Sequence, residues 1–212
     1  MIELIDITKT FNSGKPNEFT AIRGITTTIP MNKITVLKGP SGSGKTTLLS
    51  IIGCMSRPTS GRIRLLDREI TSLPERFLAE IRRKTFGFIF QQFNLIKGIT
   101  VLENVMLPAY PRGISHREIK RRAKELLKTF KIDSKASQHV EYLSGGEQQR
   151  TAIARALINN PSIIIADEPT AHLDTKLSKN FLNILSELKE WGKTVIITSH
   201  DAMVYDSEIV DR

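Results

Sequence analysis

The spacing of hydrophobic and polar residues changes several times along this chain of 212 residues. β-Branched and polar residues alternate over 2–36, around the turn-rich stretch NSGKPN at 12–17, and this pattern predicts strands joined by a turn. Short apolar runs follow at FGFIF (86–90), SIIIAD (162–167) and TVIITS (194–199). Runs of this length are typical of buried strands.

Between these runs, apolar residues recur with the spacing of an α-helix. Helices are predicted from Thr46 to near Gly53, from Pro74 to Lys84, and over most of 91–143. One of them begins with the capping-box pattern Ser115-x-x-Glu118. Its apolar face consists of Ile119, Ala123, Leu126, Leu127 and Phe130. A further amphipathic helix, between the last two strands, has an apolar face made of Leu177, Phe181, Leu182, Leu185 and Leu188.

The order of these elements indicates the fold class. Strands that alternate with helices predict an α/β protein with a parallel sheet at its core. The helical stretch at roughly 91–160 is then expected to be a subdomain inserted into that core. We expect residues 1–212 to form a single domain.

Composition places the chain among ordinary globular proteins, with 40% hydrophobic and 25% charged residues. No apolar run approaches the eighteen or so residues that cross a bilayer, and MIELIDITKTF is not expected to be a signal peptide. The single cysteine, Cys54, excludes an internal disulfide and fits a reducing cytosol. We expect it to be a small core residue on a helix.

The net charge of +9 leaves three classes of partner open: nucleic acid, an anionic membrane surface, or polyanionic small ligands. The densest basic run, HREIKRRAKELLK at 116–128, is interpreted as the solvated face of an amphipathic helix. His116 and His139 lack a motif around them and are interpreted as surface residues.

A phosphate-binding loop is predicted at GPSGSGKT, 39–46, which fits G-x-x-x-x-G-K-[ST] between a predicted strand and a predicted helix. Its glycines permit conformations that aim successive backbone N–H groups at phosphates. Lys45 adds a charge for the β- and γ-phosphates, and the Thr46 hydroxyl is placed to bind Mg²⁺. The predicted nucleotide-binding residues of the loop are Gly39, Pro40, Ser41, Gly42, Ser43, Gly44, Lys45, Thr46 and Thr47.

Two further motifs carry candidate chemistry. The apolar strand before Asp167 would deliver that carboxylate to Mg²⁺ at the edge of the sheet, and Glu168 would polarise an attacking water. LSGGEQQR, 143–150, sets a serine and two glycines before a helix-forming run. Such a helix start suits an anion, so the chain contains two candidate phosphate sites.

These motifs, in this order, resemble those of the nucleotide-binding subunits of ATP-binding cassette (ABC) transporters over essentially the whole chain. The resemblance implies a P-loop NTPase core with a mostly parallel sheet, an N-terminal antiparallel β lobe and an inserted helical subdomain. It also implies an ATPase that uses ATP and Mg²⁺. Gln91 would reach Mg²⁺ and the attacking water, His200 would contact the γ-phosphate, and Phe11 would stack on adenine.

The second candidate phosphate site matches the family signature, which implies two cassettes packed head to tail. Ser144, Gly145 and Gly146 would then bind the γ-phosphate of the ATP held by the other subunit. Asp174, in AHLD, matches the family's inter-subunit loop, while His172 stands where relatives usually have a small or amide residue. The resemblance therefore implies a homodimer bound to two copies of an integral membrane permease, on the cytoplasmic face of the cell membrane.

Finer resemblance, in GFIFQQFNLIKGITVLENVMLP, RPTSGRI and LSGGEQQRTAIARALINNPSIIIADEPT, points to the lipoprotein-releasing, macrolide-exporter and cell-division group. That group drives extrusion or mechanical work, although importers of amino acids share many of these residues and stay an alternative. The chain stops twelve residues after His200, where relatives usually add a strand or two. We expect a shorter sheet edge or a truncated chain, with no room for a regulatory C-terminal domain.

Other nucleotide-binding classes fit less well. Cassette ATPases of chromosome maintenance need a long coiled coil before the signature, yet Lys45 and Leu143 are only 98 positions apart. Translation-type cassette proteins carry two cassettes in one chain. A P-loop kinase would need an acceptor site and no signature. No nucleic-acid partner is therefore expected.

Overall fold

The computed structural model describes residues 1–171 and 174–211 and contains two sheets flanked by helices. Its strands, in chain order, are β1 (Ile2–Phe11), β2 (Phe19–Ile29), β3 (Ile34–Lys38), β4 (Ser60–Leu65), β5 (Arg68–Glu69), β6 (Phe86–Ile89), β7 (Ile163–Asp167) and β8 (Thr194–Ser199). One sheet is antiparallel with the order β2-β1-β4-β5, and the other is parallel with the order β3-β8-β7-β6. The predicted α/β class, the parallel sheet and the antiparallel N-terminal lobe are confirmed.

Helices cover both faces of the parallel sheet. They are α1 (Lys45–Ile52), α2 (Glu75–Thr85), α3 (Val101–Met106), α4 (His116–Thr129), α5 (Gly145–Leu157), α6 (Thr175–Glu190) and α7 (Ala202–Tyr205). Short 3-10 turns lie at Leu107–Arg112, Asp133–Lys135 and Val140–Tyr142. Helices occupy much of 101–157, in agreement with the predicted mostly helical stretch, whereas 91–100 contains turns. The description of 91–160 as an inserted subdomain stays a prediction. Across the described residues, 1–171 and 174–211, no helix is both long and apolar enough to span a membrane.

The side chains of β7 show why its sequence is continuously apolar. Ile163 and Ile165 face the core shared with α1 and the antiparallel sheet, while Ile164 and Ala166 face the core shared with α3–α6. Successive residues of a strand point to opposite faces, and here both faces are covered. The parallel sheet is therefore the middle layer, and its carboxyl edge is where loops converge.

Two local predictions need correction. Cys54 is buried as expected, but it lies beyond the end of α1 with a φ of 59° and not on a helix. Burial raises the pKa of its thiol to about 11. At α4 only half of the capping box forms: the Ser115 hydroxyl accepts from the Glu118 N–H, whereas the Glu118 carboxylate turns to Arg121 and Arg122.

Candidate functional site

A cleft of about 550 Å³ opens at the carboxyl edge of the parallel sheet, beside the end of the antiparallel sheet. The residues that line it are Phe11, Phe19, Ala21, Ser41, Gly42, Gly44, Lys45, Thr46, Thr47, Gln91, Glu168 and His200. Ten of these twelve are site residues predicted from the sequence, and Phe19 and Ala21 are not. Carboxyl ends of parallel strands are the usual location of ligand sites in open α/β sheets.

The phosphate loop connects β3 to α1 and packs closely against β2. Gly44 caps α1 with a φ of 90°, and a Cβ there would lie 2.6 Å from the carbonyl oxygen of Ala21. Gly39, Pro40 and Ser43 shape the loop without lining the cleft: the Ser43 N–H donates to the Pro40 carbonyl at 3.3 Å. The loop therefore presents the amino end of α1 to the cleft, where a helix favours anions.

Lys45 places its ammonium group inside this loop. Its Nζ donates to the carbonyl oxygens of Gly39 (2.8 Å) and Pro40 (3.0 Å) and lies 3.5 Å from Oε1 of Glu168. The Lys45 and Glu168 side chains are only 11% and 12% exposed. A largely shielded cation at the amino end of a helix is suited to bind a polyphosphate.

Oxygen ligands for a divalent cation meet at the end of β7. Oδ1 of Asp167 accepts hydrogen bonds from Thr46 Oγ1 (3.1 Å) and Thr198 Oγ1 (2.6 Å). Gln91, which follows β6, lines the cleft together with Thr46, whereas Asp167 borders a smaller adjoining pocket, also with Thr46. Hydroxyl, carboxylate and amide oxygens are hard donors of the kind that Mg²⁺ prefers, so the residues present fit that ion.

Glu168 sits between a cation and an imidazole. Its Oε2 lies 2.8 Å from Nδ1 of His200, and its other carboxylate oxygen faces Lys45. The φ of Glu168 is 43°, a left-handed conformation that costs a non-glycine residue about 1 kcal/mol. This turn directs the side chain into the cleft, where a carboxylate can take a proton from water.

Two aromatic rings stand at the mouth of the cleft. Phe11 and Phe19 are paired across β1 and β2, and they stay 41% and 58% exposed. Lys9 Nζ lies 5.1 Å from the Phe11 ring. Exposed flat rings beside a phosphate loop suit stacking on a nucleobase.

The second candidate phosphate site lies elsewhere. Ser144 caps α5, where its N–H and hydroxyl donate to Glu147 at 2.8 and 2.9 Å. Gly146 packs against Leu177, since a Cβ there would lie 2.6 Å from that side chain, whereas a Cβ on Gly145 would meet no described atom within 4 Å.

Ser144, Gly145, Gly146 and Asp174 are absent from the described lining of the cleft. Asp174 instead caps α6, where its Oδ1 accepts from the Leu177 N–H at 2.8 Å. His172 lies outside the described residues. Within one chain, the two phosphate sites therefore do not meet.

Comparison with known proteins agrees with this geometry. The sequence profile of the family described as ABC transporter matches residues 22–171. An uncharacterised ABC transporter ATP-binding protein of Thermotoga maritima is 42% identical over 206 residues, which cover 97% of this chain and 88% of that protein. The macrolide export ATP-binding/permease protein MacB of Hyphomonas neptunium is 41% identical over 204 residues, covering 96% of this chain but only 32% of MacB.

Solved structures of the cassette MJ0796, a protein of Methanocaldococcus jannaschii, share the fold. Its dimeric structure matches with a TM-score of 0.88 and 42% identity, covering 97% of this chain and 90% of that one. A dimeric post-hydrolysis state with ADP and Pi matches with a TM-score of 0.86 and 43% identity, covering 95% and 88%. The chain therefore belongs to the ABC transporter family, as one of its ATP-binding, ATP-hydrolysing cassettes.

Proposed function

We propose that this cassette works as a head-to-tail homodimer and drives an export-type or force-transmitting membrane permease. The observation that carries the proposal is the separation of its two phosphate-binding elements. The cleft contains the phosphate loop, yet the open helix start at Ser144–Gly145 is not part of its described lining. A second copy supplies the missing half, because a two-fold axis duplicates each surface.

Within one subunit, the cleft binds ATP. Phe11 and Phe19 stack on adenine, and residues 39–47 surround the phosphates with backbone N–H groups and the Lys45 ammonium. Thr46, Gln91 and Asp167 hold Mg²⁺. When bound, Mg²⁺ neutralises part of the charge that develops on the phosphates.

Hydrolysis depends on the Glu168 carboxylate as general base. Its oxygens lie against Lys45 and His200, which keep the carboxylate in one orientation. Glu168 takes the proton of the attacking water, and His200 contacts the γ-phosphate. Because Lys45 is 3.5 Å from Glu168, the phosphate-binding cation and the base belong to one connected charge network.

The other subunit closes the site. Ser144, Gly145 and Gly146 of the neighbour contribute the amino end of α5 to the γ-phosphate, and Asp174 contributes from the start of α6. Space around Gly145 supports this arrangement, since no described side chain would meet a Cβ there within 4 Å. The dimeric MJ0796 structures support association of two cassettes.

The membrane partner is proposed from relatives. MacB is named as an export ATP-binding and permease protein, and this chain spans about a third of it. We infer that two copies of a permease bind the cassette dimer on the cytoplasmic face of the cell membrane. No nucleic acid takes part in this proposal.

A single substitution tests the proposal. Glu168→Gln removes the base but keeps the side-chain volume, so hydrolysis should slow by about 10²-fold while ATP binding persists. With ATP and Mg²⁺ the variant should elute from a sizing column as a stable dimer. Glu190→Gln, at the exposed end of α6, is the matched control and should behave as wild type. Wild-type turnover by Glu168→Gln, or an ATP-bound variant that stays monomeric, would contradict the proposal.

A further inference from the structure

Thr198 is a buried polar residue that touches both carboxylate-bearing residues of the site. It lies on β8, directly opposite Asp167 in the parallel register with β7, and its side chain is fully buried. The two residues before it, Ile196 and Ile197, are apolar and equally buried. A hydroxyl in such surroundings must find hydrogen-bond partners, since an unpaired buried polar group is costly.

The hydroxyl of Thr198 has two partners of opposite kind. It donates to Oδ1 of Asp167 at 2.6 Å and accepts from the backbone N–H of Glu168 at 2.9 Å. The Thr198 carbonyl oxygen accepts from the same N–H at 3.2 Å. Because an N–H only donates and a carboxylate only accepts, the hydroxyl proton must point toward Asp167.

These bonds coincide with the point where the chain leaves β7. Glu168 adopts its left-handed φ of 43° there, with its N–H shared between two oxygens of Thr198. Thr46, the second residue of α1, donates to the same Oδ1 of Asp167 at 3.1 Å. Asp167 is thus held by two hydroxyls, one from the helix that follows the phosphate loop and one from the sheet.

We propose that Thr198 is a positioning residue of this ATPase, which fixes Asp167 for the cation and the Glu168 turn for the general base. This inference rests on the proposed function, because it assumes that Asp167 binds Mg²⁺ and that Glu168 acts as the base. Thr198 acts through those two residues. Outer groups that orient metal ligands typically contribute about 10- to 100-fold in metal affinity or activity.

The substitution Thr198→Val keeps the shape of the side chain and removes the hydroxyl. A methyl carbon approaches an oxygen to no less than about 3.3 Å, whereas the hydroxyl oxygen lies 2.6 Å from Asp167 Oδ1. The carboxylate therefore has to move by the difference, about 0.7 Å, which exceeds the tolerance of roughly 0.5 Å for a functional group. Thr198→Ser retains the hydroxyl and should restore most of the function.

A matched control exists on the same strand. Thr194 is also fully buried on β8, and its hydroxyl accepts from the Asn32 N–H at 2.8 Å, at the opposite end of the sheet. Thr194→Val removes one buried hydroxyl without touching Asp167 or Glu168. A loss of affinity or activity that results only from removing a buried hydroxyl from β8 should appear in both valine variants.

The first measurement is equilibrium binding of adenylyl imidodiphosphate, a non-hydrolysable ATP analogue, in EDTA and in Mg²⁺. The gain in affinity from Mg²⁺ should fall about 10-fold in Thr198→Val and in Asp167→Asn. It should stay at the wild-type value in Thr194→Val and near it in Thr198→Ser. The kcat of Thr198→Val should fall, and its KM for MgATP should rise in line with the weaker Mg²⁺-dependent binding.

The second measurement is amide hydrogen exchange at Glu168. Exchange should be slow in wild type and about 10-fold faster in Thr198→Val, as expected for the loss of one ordinary hydrogen bond. If Thr198→Val does not fold, rapid exchange at Glu168 in wild type overturns the inference. The inference is also overturned if Mg²⁺ increases the analogue affinity equally in Thr198→Val and Thr194→Val. In that case the proposed function still stands, provided that Asp167→Asn loses this increase. If Asp167→Asn keeps the full gain, the Mg²⁺ assignment itself has failed.

Discussion

Gly44 meets two separate requirements that substitutions can distinguish. Its φ of 90° is one that residues other than glycine rarely adopt. The absence of a Cβ also leaves room for the Ala21 carbonyl oxygen. Gly42 shares only the first requirement, with a φ of 78° and no described atom within 4 Å of the position that a Cβ would take. The close approach to β2 is therefore particular to Gly44.

Gly44→Ala should damage nucleotide binding more than Gly42→Ala does. A Cβ at 44 would lie 2.6 Å from a backbone oxygen, so the phosphate loop has to move away from β2. At 42 the cost is backbone strain alone, about 1 kcal/mol. We expect ATP affinity, measured by titration calorimetry, to fall at least about 10-fold further in Gly44→Ala, since about 1.4 kcal/mol is tenfold. Equal affinities in the two variants would contradict a close packing of the loop on β2.

The site residues that lie within local motifs follow from the residues themselves, whereas Phe11, Gln91 and His200 were predicted from the family resemblance. Lys45 and Thr46 follow from the spacing of the phosphate-loop motif, because a loop between strand and helix has local geometry. Asp167 and Glu168 follow from their place at the end of an apolar strand, taken together with that loop. Phe19 was missed although it pairs with Phe11, since the β1–β2 pairing contains register shifts that no pattern in the sequence reveals. Contacts made between strands distant in sequence depend on register, which only the folded sheet fixes.

Asp211 ties the end of the described chain to β3 and α6. Its carboxylate accepts from the Ile34 N–H at 2.9 Å and pairs with Lys189 at 2.9 Å and Lys33 at 3.2 Å. Burial works to raise the pKa of Asp211, but the Ile34 N–H and the two ammonium groups outweigh it and lower the pKa from 3.8 to about 2. The folded protein therefore favours the ionised carboxylate.

Asp211→Asn should destabilise the cassette at neutral pH, and progressively less as the pH falls below about 4. Because the pKa of Asp211 is lower in the folded than in the unfolded protein, the ionised carboxylate stabilises the folded state above about pH 4. That contribution is lost as the pH falls toward 2. At pH 7 we expect a loss of about 1 kcal/mol, or about 2–4 °C in Tm. Urea unfolding at pH 7, 4 and 3 measures this loss in the free energy of unfolding, and Asp206→Asn, at an exposed residue, is the control. A difference between wild type and Asp211→Asn that does not shrink below pH 4 would contradict this role.

Helix boundaries show a similar division between local and distant causes. The start of α4 after Ser115 follows from the sequence, because a hydroxyl caps the N–H groups beside it. The hydrogen bonds of the Glu118 carboxylate do not follow from the sequence, because it has competing partners. It accepts hydrogen bonds from Arg121 and Arg122, and these bonds lower its pKa to about 2. Local patterns predict that a helix begins, whereas side-chain competition decides which bonds complete it.

The proposed head-to-tail assembly would explain why one chain carries two candidate phosphate-binding elements. In a head-to-tail pair, each site combines the phosphate loop of one subunit with the α5 start of the other. A variant with a defective loop and a variant with a defective α5 start then damage different halves of a site. Lys45→Ala removes the cation proposed to bind phosphate, and Gly145→Asp places a carboxylate where the neighbour's γ-phosphate would lie.

The structure selects Gly145 for this test in preference to Gly146. A side chain at 146 would collide with Leu177 and disturb the packing of α5 on α6, but one at 145 would meet no described atom within 4 Å. Gly145→Asp should therefore fold and bind ATP in its own cleft. Repulsion between like charges about 4 Å apart is about 4 kcal/mol at an effective dielectric constant of about 20, enough to oppose dimer closure. Gly145→Ala carries no charge and serves as the control, with activity clearly above that of Gly145→Asp.

Mixing the two inactive variants should restore ATP hydrolysis. In a heterodimer of Lys45→Ala and Gly145→Asp subunits, both lesions fall on one composite site, and the other site has an intact loop and an intact α5 start. About half of the dimers in an equimolar mixture are heterodimers with one good site of two, so about a quarter of wild-type activity is expected if the sites act independently. Phosphate release is measured for each variant alone and for the mixture over a range of ratios. Activity that never exceeds the sum of the two separate proteins, or full turnover by Gly145→Asp alone, would show that α5 does not act on the neighbour's ATP.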